Sequence, residues 1–379
     1  MTRPRILHVH STFQLGGKEA RAVQLMNACG DEARHVVLSA VPGALGARNA
    51  IDGRVAVTFP DDHPPLTGPP TPVRYRALAA YMRAFDLVLT YNWGAMDAVM
   101  ARRLFGGPPL IHHEDGFNED EALRQKPARI LFRRLALPAA TALVVPSERL
   151  EGIARAVWQQ PAARVRRIAN GIPVTRYLAP PVPNAIPGLA RGPGEVVVGT
   201  VAGLRAVKNL PRLVRAFATA GIKGRLAIVG EGPERPAILA AAAAAGVAEQ
   251  IVLPGFQSDP CRYIGLFDIF ALSSDSEQFP ISLVEAMAAG LPVAATAVGD
   301  VAAMVAPANL PFLATVADEG GLAAALRRLA MDEALRAKLG EANRARALAR
   351  FDEEAMIAAY RALYWRAMEA GPNSPRQAA

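Results

Sequence analysis

The chain has 379 residues, more than a single hydrophobic core usually serves, so two domains are expected. Hydrophobic residues make up 51% and charged residues 20%, a balance that excludes a disordered chain. No run approaches the roughly 18 uncharged apolar residues of a spanning helix, and the N-terminus lacks an apolar signal core, so a cytoplasmic location is expected. Two cysteines, Cys29 and Cys261, exclude a disulfide framework or a Cys-rich zinc site.

The formal net charge of +8 is unevenly distributed along the chain. Up to Thr175 there are 22 Lys and Arg against 15 Asp and Glu, a net charge of +7, and the remainder has 20 against 19. A basic first half beside a nearly neutral second half indicates an anionic partner for the first half. Ordinary solubility charge explains the same excess, so both interpretations stay open.

The first half alternates apolar runs with helical patterns. The predicted strands are Arg5–His10, His35–Leu38, Val55–Phe59, Leu87–Thr90, Leu110–His113 and Ala142–Val145. The predicted helices are Lys18–Cys29, Arg74–Arg83, Met96–Phe105 and Ala128–Leu137. Continuous apolar runs that alternate with helices indicate a parallel, doubly wound sheet.

A Pro-rich stretch without periodicity predicts an interdomain linker at residues 177–194. A second alternation follows it. Its predicted strands are Glu195–Val201, Arg225–Val229, Gln250–Leu253, Ile269–Leu272 and Val293–Thr296. Its predicted helices are Leu210–Ala220, Arg235–Ala245, Ile281–Ala289, Glu319–Met331, Glu333–Arg350 and Glu353–Glu369. The chain is therefore predicted to contain two Rossmann-like parallel-sheet halves.

The segment Ser273–Gly290 carries the most informative pattern. It follows a predicted strand, Pro280 fits the first position of a helix, and Gly290 fits its C-terminal cap. A helix N-terminus at the carboxyl end of a parallel strand is a ready phosphate site. Glu277 before that helix and Glu285 inside it are suited to accept sugar hydroxyls, because carboxylates avoid phosphate. Two sugars that flank a diphosphate fit this pattern.

The spacing Glu277-x7-Glu285, followed by AMAAGLPVAAT, resembles the retaining glycosyltransferases of family 4, which have the GT-B fold. The resemblance implies two Rossmann-like domains that face each other across a cleft, with an acceptor domain at 1–176 and a donor domain at 195–352. It implies that Glu277 binds the donor sugar at the reacting centre and that Glu285 binds the ribose. It assigns the diphosphate to the backbone of Phe279, Pro280, Ile281, Ser282 and Leu283.

The resemblance also makes a prediction for the C-terminal segment, and the chain differs from the family at one position of the donor site. The final segment, residues 353–379, is expected to return as a helix to the first domain and to end in a frayed tail. Many relatives have glycine at the position of Gln278. The larger side chain raises the question of whether the main chain can contact the donor sugar there.

A second stretch, Val198–Phe217, resembles the family's strand, loop and helix that carry basic residues. By position Lys208 contacts the diphosphate, where positive charge stabilises the leaving group as the sugar bond breaks. Many relatives have arginine where this chain has Gly203, and Arg205 is the nearby guanidinium. Lys208 and Arg205 are both expected to bind the donor, with Lys208 acting in catalysis.

Two shorter stretches agree with this assignment. Leu226–Arg235 resembles the family's Gly-Glu-Gly-Pro turn on the nucleotide side, which assigns Gly230 and Glu231 to donor binding. Ile251–Pro260 resembles the loop whose main chain lies along the base. Turns without ligand contacts are the alternative for both stretches.

In the first half, Gly16 and Gly17 follow the first predicted strand. Their loop resembles the family's Gly-Gly loop, which faces the diphosphate and the acceptor, and glycine lets a backbone approach a phosphate closely. The alternative is a tight turn without a ligand.

The sequence His112-His113-Glu114-Asp115 has the composition of a metal site, but its predicted strand geometry disfavours one. Successive strand side chains point to opposite faces, so His113 and Asp115 share one face and His112 and Glu114 the other. The resemblance implies a histidine over the reacting sugar near this point. That position aligns with Asp115, and His113 lies on the same side, so either residue is a catalytic candidate, with His113 slightly favoured.

The segment Arg124–Leu137 mixes basic and apolar residues, with Arg129, Arg133 and Arg134 in one cluster. Family members with lipid-linked acceptors dock a basic, amphipathic part of the first domain on anionic membrane. The resemblance therefore suggests a peripheral location on the inner face of the cytoplasmic membrane. A helix packed in the core with a charged rim is equally compatible with the sequence.

The resemblance implies transfer of a hexose, with retention, from a UDP- or GDP-linked sugar to a hydroxyl of a lipid-linked or saccharide acceptor. Polysaccharide, lipopolysaccharide or glycolipid assembly is the expected setting. No cofactor and no nucleic-acid partner are expected, and no metal either, because the chain has no Asp-x-Asp motif. A nucleotide-sugar epimerase of the GT-B fold and a non-catalytic nucleotide-sugar-binding relative remain alternatives.

Overall fold

The computed structural model describes residues 3–117, 121 and 124–370. These residues form two α/β units. The first unit contains the described residues up to Ala169 together with those from Ala355 onward, and the second contains Asn170–Glu354. The predicted frayed tail after residue 370 lies outside the described residues.

A parallel sheet forms the centre of the first unit. Its strands are β1 (Arg5–His10), β2 (Arg34–Ser39), β3 (Ala56–Thr58), β4 (Leu87–Tyr91), β5 (Leu110–His113), β6 (Ala142–Val145) and β7 (Val165–Arg167). Their spatial order is β3-β2-β1-β4-β5-β6-β7. The helices of its first 169 residues are α1 (Gly17–Cys29), α2 (Pro72–Met82), α3 (Met96–Phe105), α4 (Pro127–Ala136) and α5 (Glu148–Ala156).

The second unit repeats this architecture. Its strands are β8 (Val196–Val201), β9 (Gly224–Val229), β10 (Ile251–Val252), β11 (Ile269–Leu272), β12 (Val293–Thr296) and β13 (Leu313–Ala314). They are parallel, in the order β10-β9-β8-β11-β12-β13. The helices are α6 (Leu210–Ala220), α7 (Arg235–Ala244), α8 (Ile281–Ala288), α9 (Val301–Met304), α10 (Glu319–Met331) and α11 (Glu333–Arg350).

The strand order places a topological switch in each sheet. β1 pairs with β2 on one side and with β4 on the other, and β8 pairs in the same way with β9 and β11. In open parallel sheets, ligands bind outside the carboxyl ends of the strands at this switch. The loops that follow β8 and β11 are therefore the ones that meet at the ligand edge of the second sheet.

The last helix, α12 (Glu353–Glu369), packs in the first unit. Its buried face includes Tyr360 and Tyr364, which lie in one apolar cluster with Ile6 and Ile111 of the sheet. Each aromatic side chain buried here removes a large apolar area from water, which holds the helix on the sheet.

The chain segments around 171 and 352 are joined by backbone hydrogen bonds within the second unit. The Ile172 N–H donates to the Phe351 carbonyl (3.0 Å), and the Glu353 N–H donates to the Ile172 carbonyl (3.0 Å). A Cβ at Gly171 would lie 2.7 Å from the Asp352 carbonyl oxygen, so the close approach requires glycine at that position.

Most predicted elements are confirmed, several to the residue, including Leu110–His113, Leu210–Ala220 and Ile269–Leu272. The patterns did not predict α5, β7, α9 or β13. The division between the units falls at 169/170, seven residues before the predicted end of the first domain. Residues 177–194 belong to the second unit, where Tyr177 and Ile186 are buried.

In the part of the chain that the structure describes, no helix combines the length and the apolar character needed to cross a bilayer.

Candidate functional site

Two loops meet at the switch of the second sheet: residues 202–209 after β8 and residues 273–280 after β11. The Ser273 hydroxyl lies 3.0 Å from both the Lys208 and the Asn209 carbonyl oxygens, and the Asp275 N–H donates to the Val207 carbonyl (2.8 Å). These bonds fix the register of one loop against the other. Residues far apart in sequence are thus held together at the predicted phosphate site.

The structure brings the predicted catalytic pair, Lys208 and Glu277, into direct contact. The Lys208 ammonium donates to Glu277 Oε1 at 2.5 Å, and the Ser274 hydroxyl donates to the same oxygen at 2.7 Å. Both ionic side chains are largely buried, with 18% and 9% of their areas exposed. An ammonium carries three donors, so Lys208 retains donor capacity for an anion beside this pair.

Arg212 and Asp275 support this loop, and neither was predicted as a site residue. The Arg212 guanidinium donates to the Ser273 carbonyl (3.0 Å) and pairs with Asp275 Oδ1 (2.7 Å). The Asn209 amide also donates to Asp275, at 3.2 Å. A charge on α6 thus orders the backbone that precedes Glu277. Neither residue belongs to a motif that carried the family resemblance. Their role becomes visible only because the structure brings the two loops together.

Helix α8 begins at Ile281, as predicted, but Pro280 is its N-terminal cap and not its first helical residue. Pro280 has an extended backbone (φ −70°, ψ 108°) and is the N-terminal cap, so Ile281 is the first helical residue. The Leu283 N–H donates to the Pro280 carbonyl (3.1 Å). The N–H groups of Ile281 and Ser282 lack intrahelical acceptors, as in the first turn of any helix, and they supply partial positive charge.

The backbone between Glu277 and α8 is fixed from a neighbouring loop. The Asp300 N–H donates to the Gln278 carbonyl (3.3 Å), and a Cβ at Gly299 would lie 2.2 Å from the Glu277 carbonyl. Gly299, at φ +56°, is therefore a further residue that shapes the loop. Gln278 Oε1 is buried without a protein partner among the described residues, and the Phe279 ring contacts Phe351 edge-on at 5.6 Å.

Arg205 lies exposed in the loop after β8. A Cβ at Gly203 would lie 3.5 Å from Arg205 Nε, so side chains at positions 203 and 205 reach the same space. Gly230 must be glycine, because its Cβ would lie 2.0 Å from the Ala202 carbonyl, and Glu231 beside it is exposed. The structure thus places these predicted donor residues on adjacent loops after β8 and β9.

Glu285 lies in a different environment from Glu277. The Tyr177 hydroxyl donates to Glu285 Oε1 at 3.0 Å. Burial raises the pKa of Glu285 to about 7; the hydrogen bond from Tyr177 lowers it, and the nearby Asp259 charge raises it. Near neutral pH this carboxyl is therefore divided between its protonated and ionised forms. Tyr177 falls at the start of the predicted linker, where no motif indicates a role.

The first unit places Gly16 and Gly17 where β1 passes into α1. Both glycines are exposed, and a Cβ at Gly17 would contact nothing within 4 Å. Beside them Lys18 forms an ion pair with the buried Glu19. Open space at the start of this 13-residue helix is compatible with the predicted ligand contact.

His113 lies at the carboxyl end of β5 and is fully enclosed. Its Nδ1 lies 3.2 Å from the Thr90 carbonyl, which can only accept, so Nδ1 carries the proton. Nε2 then accepts from the Tyr364 hydroxyl at 2.8 Å. Burial, and then the Arg21 charge, lower the pKa of His113 well below its usual range. A catalytic role for the neutral His113 therefore requires that one of these two hydrogen bonds be broken.

Asp115, the other catalytic candidate, is partly exposed and bound to Arg21. The Arg21 guanidinium donates to both carboxylate oxygens of Asp115, to Oδ2 at 2.9 Å. It also lies 5.5 Å from the centre of the Tyr360 ring. The Asp115 N–H donates to Asn92 Oδ1 (2.7 Å). A bidentate pair of this kind holds the carboxylate in a fixed orientation.

The opposite face of β5 carries a separate buried group, as the strand alternation predicts. His112 bonds to the Thr90 hydroxyl (2.8 Å), and its Nε2 lies 3.7 Å from Glu114. Glu114 pairs with Arg133 (3.2 Å). No group of three or more His, Cys, Asp or Glu suited to a metal ion occurs among the residues described.

The arginine cluster of α4 is largely engaged within the first unit, so these three side chains do not form an open basic surface. Arg133 is 1% exposed, pairs with Glu114 and Glu121, and lies over the Trp158 ring at 4.9 Å. Arg129 pairs with Glu121 at 2.8 Å, and Arg134 donates to a backbone carbonyl at 2.8 Å. Nearby acids and aromatic rings neutralise and desolvate these charges, which matches the alternative of a core helix with a charged rim.

The predicted residues therefore fall into one group in each unit. The second unit holds Lys208, Arg205, Gly230, Glu231, Glu277, Glu285 and the turn into α8, and the first holds Gly16, Gly17, His113 and Asp115. The donor-side group is the more complete, because its charged side chains and backbone donors converge on one sheet edge.

Two family models match the chain. Residues 183–346 match the model described as Glycosyl transferases group 1, and residues 15–176 match Glycosyltransferase Family 4. Curated relatives include N-acetyl-alpha-D-glucosaminyl L-malate synthase of Bacillus anthracis, 28% identical over 45% of each chain. GDP-mannose-dependent alpha-mannosyltransferase of Mycobacterium tuberculosis is 26% identical over 79% of each chain.

The first curated relatives are matched over about half of their length or less. A solved structure, HepE of Anabaena in complex with UDP, superimposes over 95% of this chain and 99% of its own, with a TM-score of 0.77 and 20% identity. At that identity the likeness establishes the fold.

The raised pKa of Glu285 predicts a pH-dependent contribution to stability. Because its folded-state pKa of about 7 exceeds the ordinary value of 4.5, the contribution is fully present below about pH 4.5 and is lost as the pH rises through 7. A shift of this size corresponds to about 3 kcal/mol. Denaturant unfolding of the parent and of Glu285→Gln across pH 5 to 8.5 should show the parent losing stability relative to the variant. A difference that stays constant over this range would contradict the assignment.

Proposed function

The chain belongs to glycosyltransferase family 4, group 1, and has the GT-B fold, and we propose that it transfers a sugar from a nucleotide diphosphate sugar to a hydroxyl acceptor. The observation that carries the proposal is the contact of Lys208 with Glu277 beside the N-terminus of α8. A cation, backbone N–H donors and a carboxylate at one sheet edge suit a diphosphate joined to a sugar.

In this proposal Lys208 and the first turn of α8 stabilise the leaving diphosphate. Negative charge grows on the phosphate oxygen as the anomeric carbon–oxygen bond breaks, so a fixed cation stabilises the transition state more than the bound donor. Arg205 supplies a second cation at the side where relatives carry arginine at position 203. With these cations in place, we propose that turnover needs no divalent metal.

We further propose retention of the anomeric configuration by a front-face reaction. The acceptor oxygen forms the new bond on the face that the diphosphate leaves, and its proton passes to the leaving phosphate oxygen. Glu277 is held by Lys208 and the Ser274 hydroxyl, an arrangement that suits a hydroxyl-binding carboxylate more than a nucleophile. Asp115, held by Arg21, is the better placed first-unit candidate because both nitrogens of His113 are occupied.

The donor is proposed to be a hexose linked to UDP or GDP, with Glu285 on the ribose hydroxyls. The names of two similar proteins support these bases: one is GDP-mannose-dependent, and the other holds UDP. The acceptor is proposed to be a saccharide or lipid-linked hydroxyl in polysaccharide, lipopolysaccharide or glycolipid assembly. No cofactor and no nucleic acid enter this scheme.

Release of nucleoside diphosphate from a panel of UDP- and GDP-sugars, with and without saccharide and lipid-linked acceptors, tests the function. The proposal expects acceptor-dependent release that continues in EDTA. Interconversion of the sugar without an acceptor would point instead to an epimerase, and donor binding without release under any condition to a non-catalytic relative. Loss of release in EDTA, restored only by added metal, would contradict the metal-independent step.

Replacement of Lys208 by alanine should lower turnover by about 10²–10³, the usual cost of losing one electrostatic donor in an enzyme site. Lys223→Ala is a suitable control, because Lys223 is an exposed lysine next to the amino end of β9. Arg212 is unsuitable as a surface control, since it orders the loop before Glu277. Turnover of Lys208→Ala within threefold of the parent would reject the phosphate role.

We also propose that the first unit contacts an anionic membrane, through the outward face of α4. Leu131 and Leu135 are exposed there at 57% and 55%, in a half of the chain with a net charge of +7. Binding to vesicles of anionic lipid should fall with salt and with the double change Leu131→Ser, Leu135→Ser. Leu239→Ser, at an exposed leucine of α7, should leave binding unchanged. No vesicle binding at low salt would indicate a soluble acceptor.

A further inference from the structure

We infer that Tyr177 is a positioning residue for the nucleotide: its hydroxyl holds the Glu285 carboxylate ionised and oriented, so that the second oxygen can accept the ribose hydroxyls. This inference rests on the proposed ribose role of Glu285. It adds a residue from outside every stretch that carried the family resemblance. It also predicts how nucleotide binding responds to pH.

The geometry makes Tyr177 a directed donor. The residue lies in a short 3-10 turn, Val174–Leu178, and its side chain is buried, with 7% of its area exposed. The Val174 N–H donates to the Ile172 carbonyl (2.7 Å), which anchors the turn. The Tyr177 hydroxyl reaches Glu285 Oε1 at 3.0 Å. A phenol fixed at both ends has little freedom to seek another acceptor.

The other groups around Glu285 do not replace this donor. Asp259 repels the ionised carboxylate, and Cys261 donates its thiol hydrogen to Asp259 at 3.1 Å. Arg176 binds both Asp259 oxygens at 2.9 Å. Tyr263, also buried, directs its hydroxyl to the Gln257 carbonyl (3.4 Å).

The same surroundings define the role of the two carboxylate oxygens. In the described part of the chain no other side chain donates to the Glu285 carboxylate, so Oε2 has no protein partner. Oε1 is thereby committed to Tyr177 and Oε2 is available to a ligand. The Arg176 cation, in the same 3-10 turn as Tyr177, is engaged by Asp259. Ionisation of Glu285 depends on the single neutral donor.

Removal of that donor should change the proton equilibrium of Glu285. Burial already raises the pKa of this carboxyl to about 7, and the Tyr177 bond opposes the shift. Without the hydroxyl the pKa rises further, because a hydrogen bond to the charged form favours that form. A carboxyl that stays protonated is a poorer acceptor for the ribose. Affinity is then lost at low pH and recovered at high pH.

The test is calorimetric titration of the full chain with UDP and with GDP from pH 5.5 to 9. For Tyr177→Phe, the pH at which affinity is half-maximal should rise by about one unit, which corresponds to about tenfold weaker binding near pH 6. Near pH 9 its affinity should approach that of the parent. Titration of the nucleotide phosphate is common to all variants and cancels in the comparison.

Tyr263→Phe is the matched control, because it removes a buried hydroxyl of the same type that does not bond to Glu285. It should keep the pH profile of the parent. The double variant Tyr177→Phe, Glu285→Gln should behave like Glu285→Gln alone, since Tyr177 acts through that carboxylate. Thermal unfolding of each variant checks that the fold is retained.

The outcomes separate this inference from the function on which it rests. A parent that binds neither nucleotide, or a Glu285→Gln variant that binds as the parent does at pH 8, would overturn both. Weak binding by Glu285→Gln together with an unshifted profile for Tyr177→Phe would overturn the role of Tyr177 alone. So would an equal loss of affinity by Tyr177→Phe at every pH, which is the signature of a purely structural contact.

Discussion

The donor-side site depends on the adjacency of β8 and β11 in the second sheet. The loops that follow these strands are more than sixty residues apart in sequence, yet the Ser273 hydroxyl and the ion pair of Lys208 with Glu277 join them directly. A parallel sheet with a switch at this point brings both loops to the same edge. Because α8 starts from the second loop, the Lys208 ammonium and the N-terminus of α8 lie at the same sheet edge.

Glu277 lies in the loop before α8 and Glu285 lies inside that helix, and their surroundings give them different chemistry. Glu277 faces an ammonium and a hydroxyl, so its charge is balanced within the loop. Among the described residues Glu285 has one side-chain donor, the Tyr177 hydroxyl, and burial raises its pKa to about 7, with Asp259 adding to the rise. A ligand that donates hydroxyl hydrogen bonds to Glu285 therefore stabilises a carboxylate for which the protein supplies few donors.

Periodicity and local motifs predict most of the strands and helices. Features that depend on contacts between distant parts of the chain are not predictable in this way. β11 (IFAL) is a continuous apolar run followed by polar residues, which is why its bounds agree to the residue. β13 has two residues, too few for any period, and α5 was missed although Ser147 caps it (3.1 Å to the Leu150 N–H). Tyr177 lies at the edge of a Pro-rich stretch and meets Glu285 over a separation of 108 residues, which no local pattern reports.

The arginines of α4 show that the net charge counted from a sequence does not tell which charged side chains lie on the surface. An amphipathic pattern gives the angle between the basic and apolar faces, and it does not say which face meets the core. Arg133 is buried because Glu114 and Glu121 neutralise it, and Arg21 is likewise buried against Asp115. Because Arg129 also pairs with Glu121, these groups hold as many basic as acidic side chains, and they leave the +7 excess of the first half intact. That excess therefore resides on other basic side chains of the first half, and any attraction of the α4 region to an anionic surface must come from them.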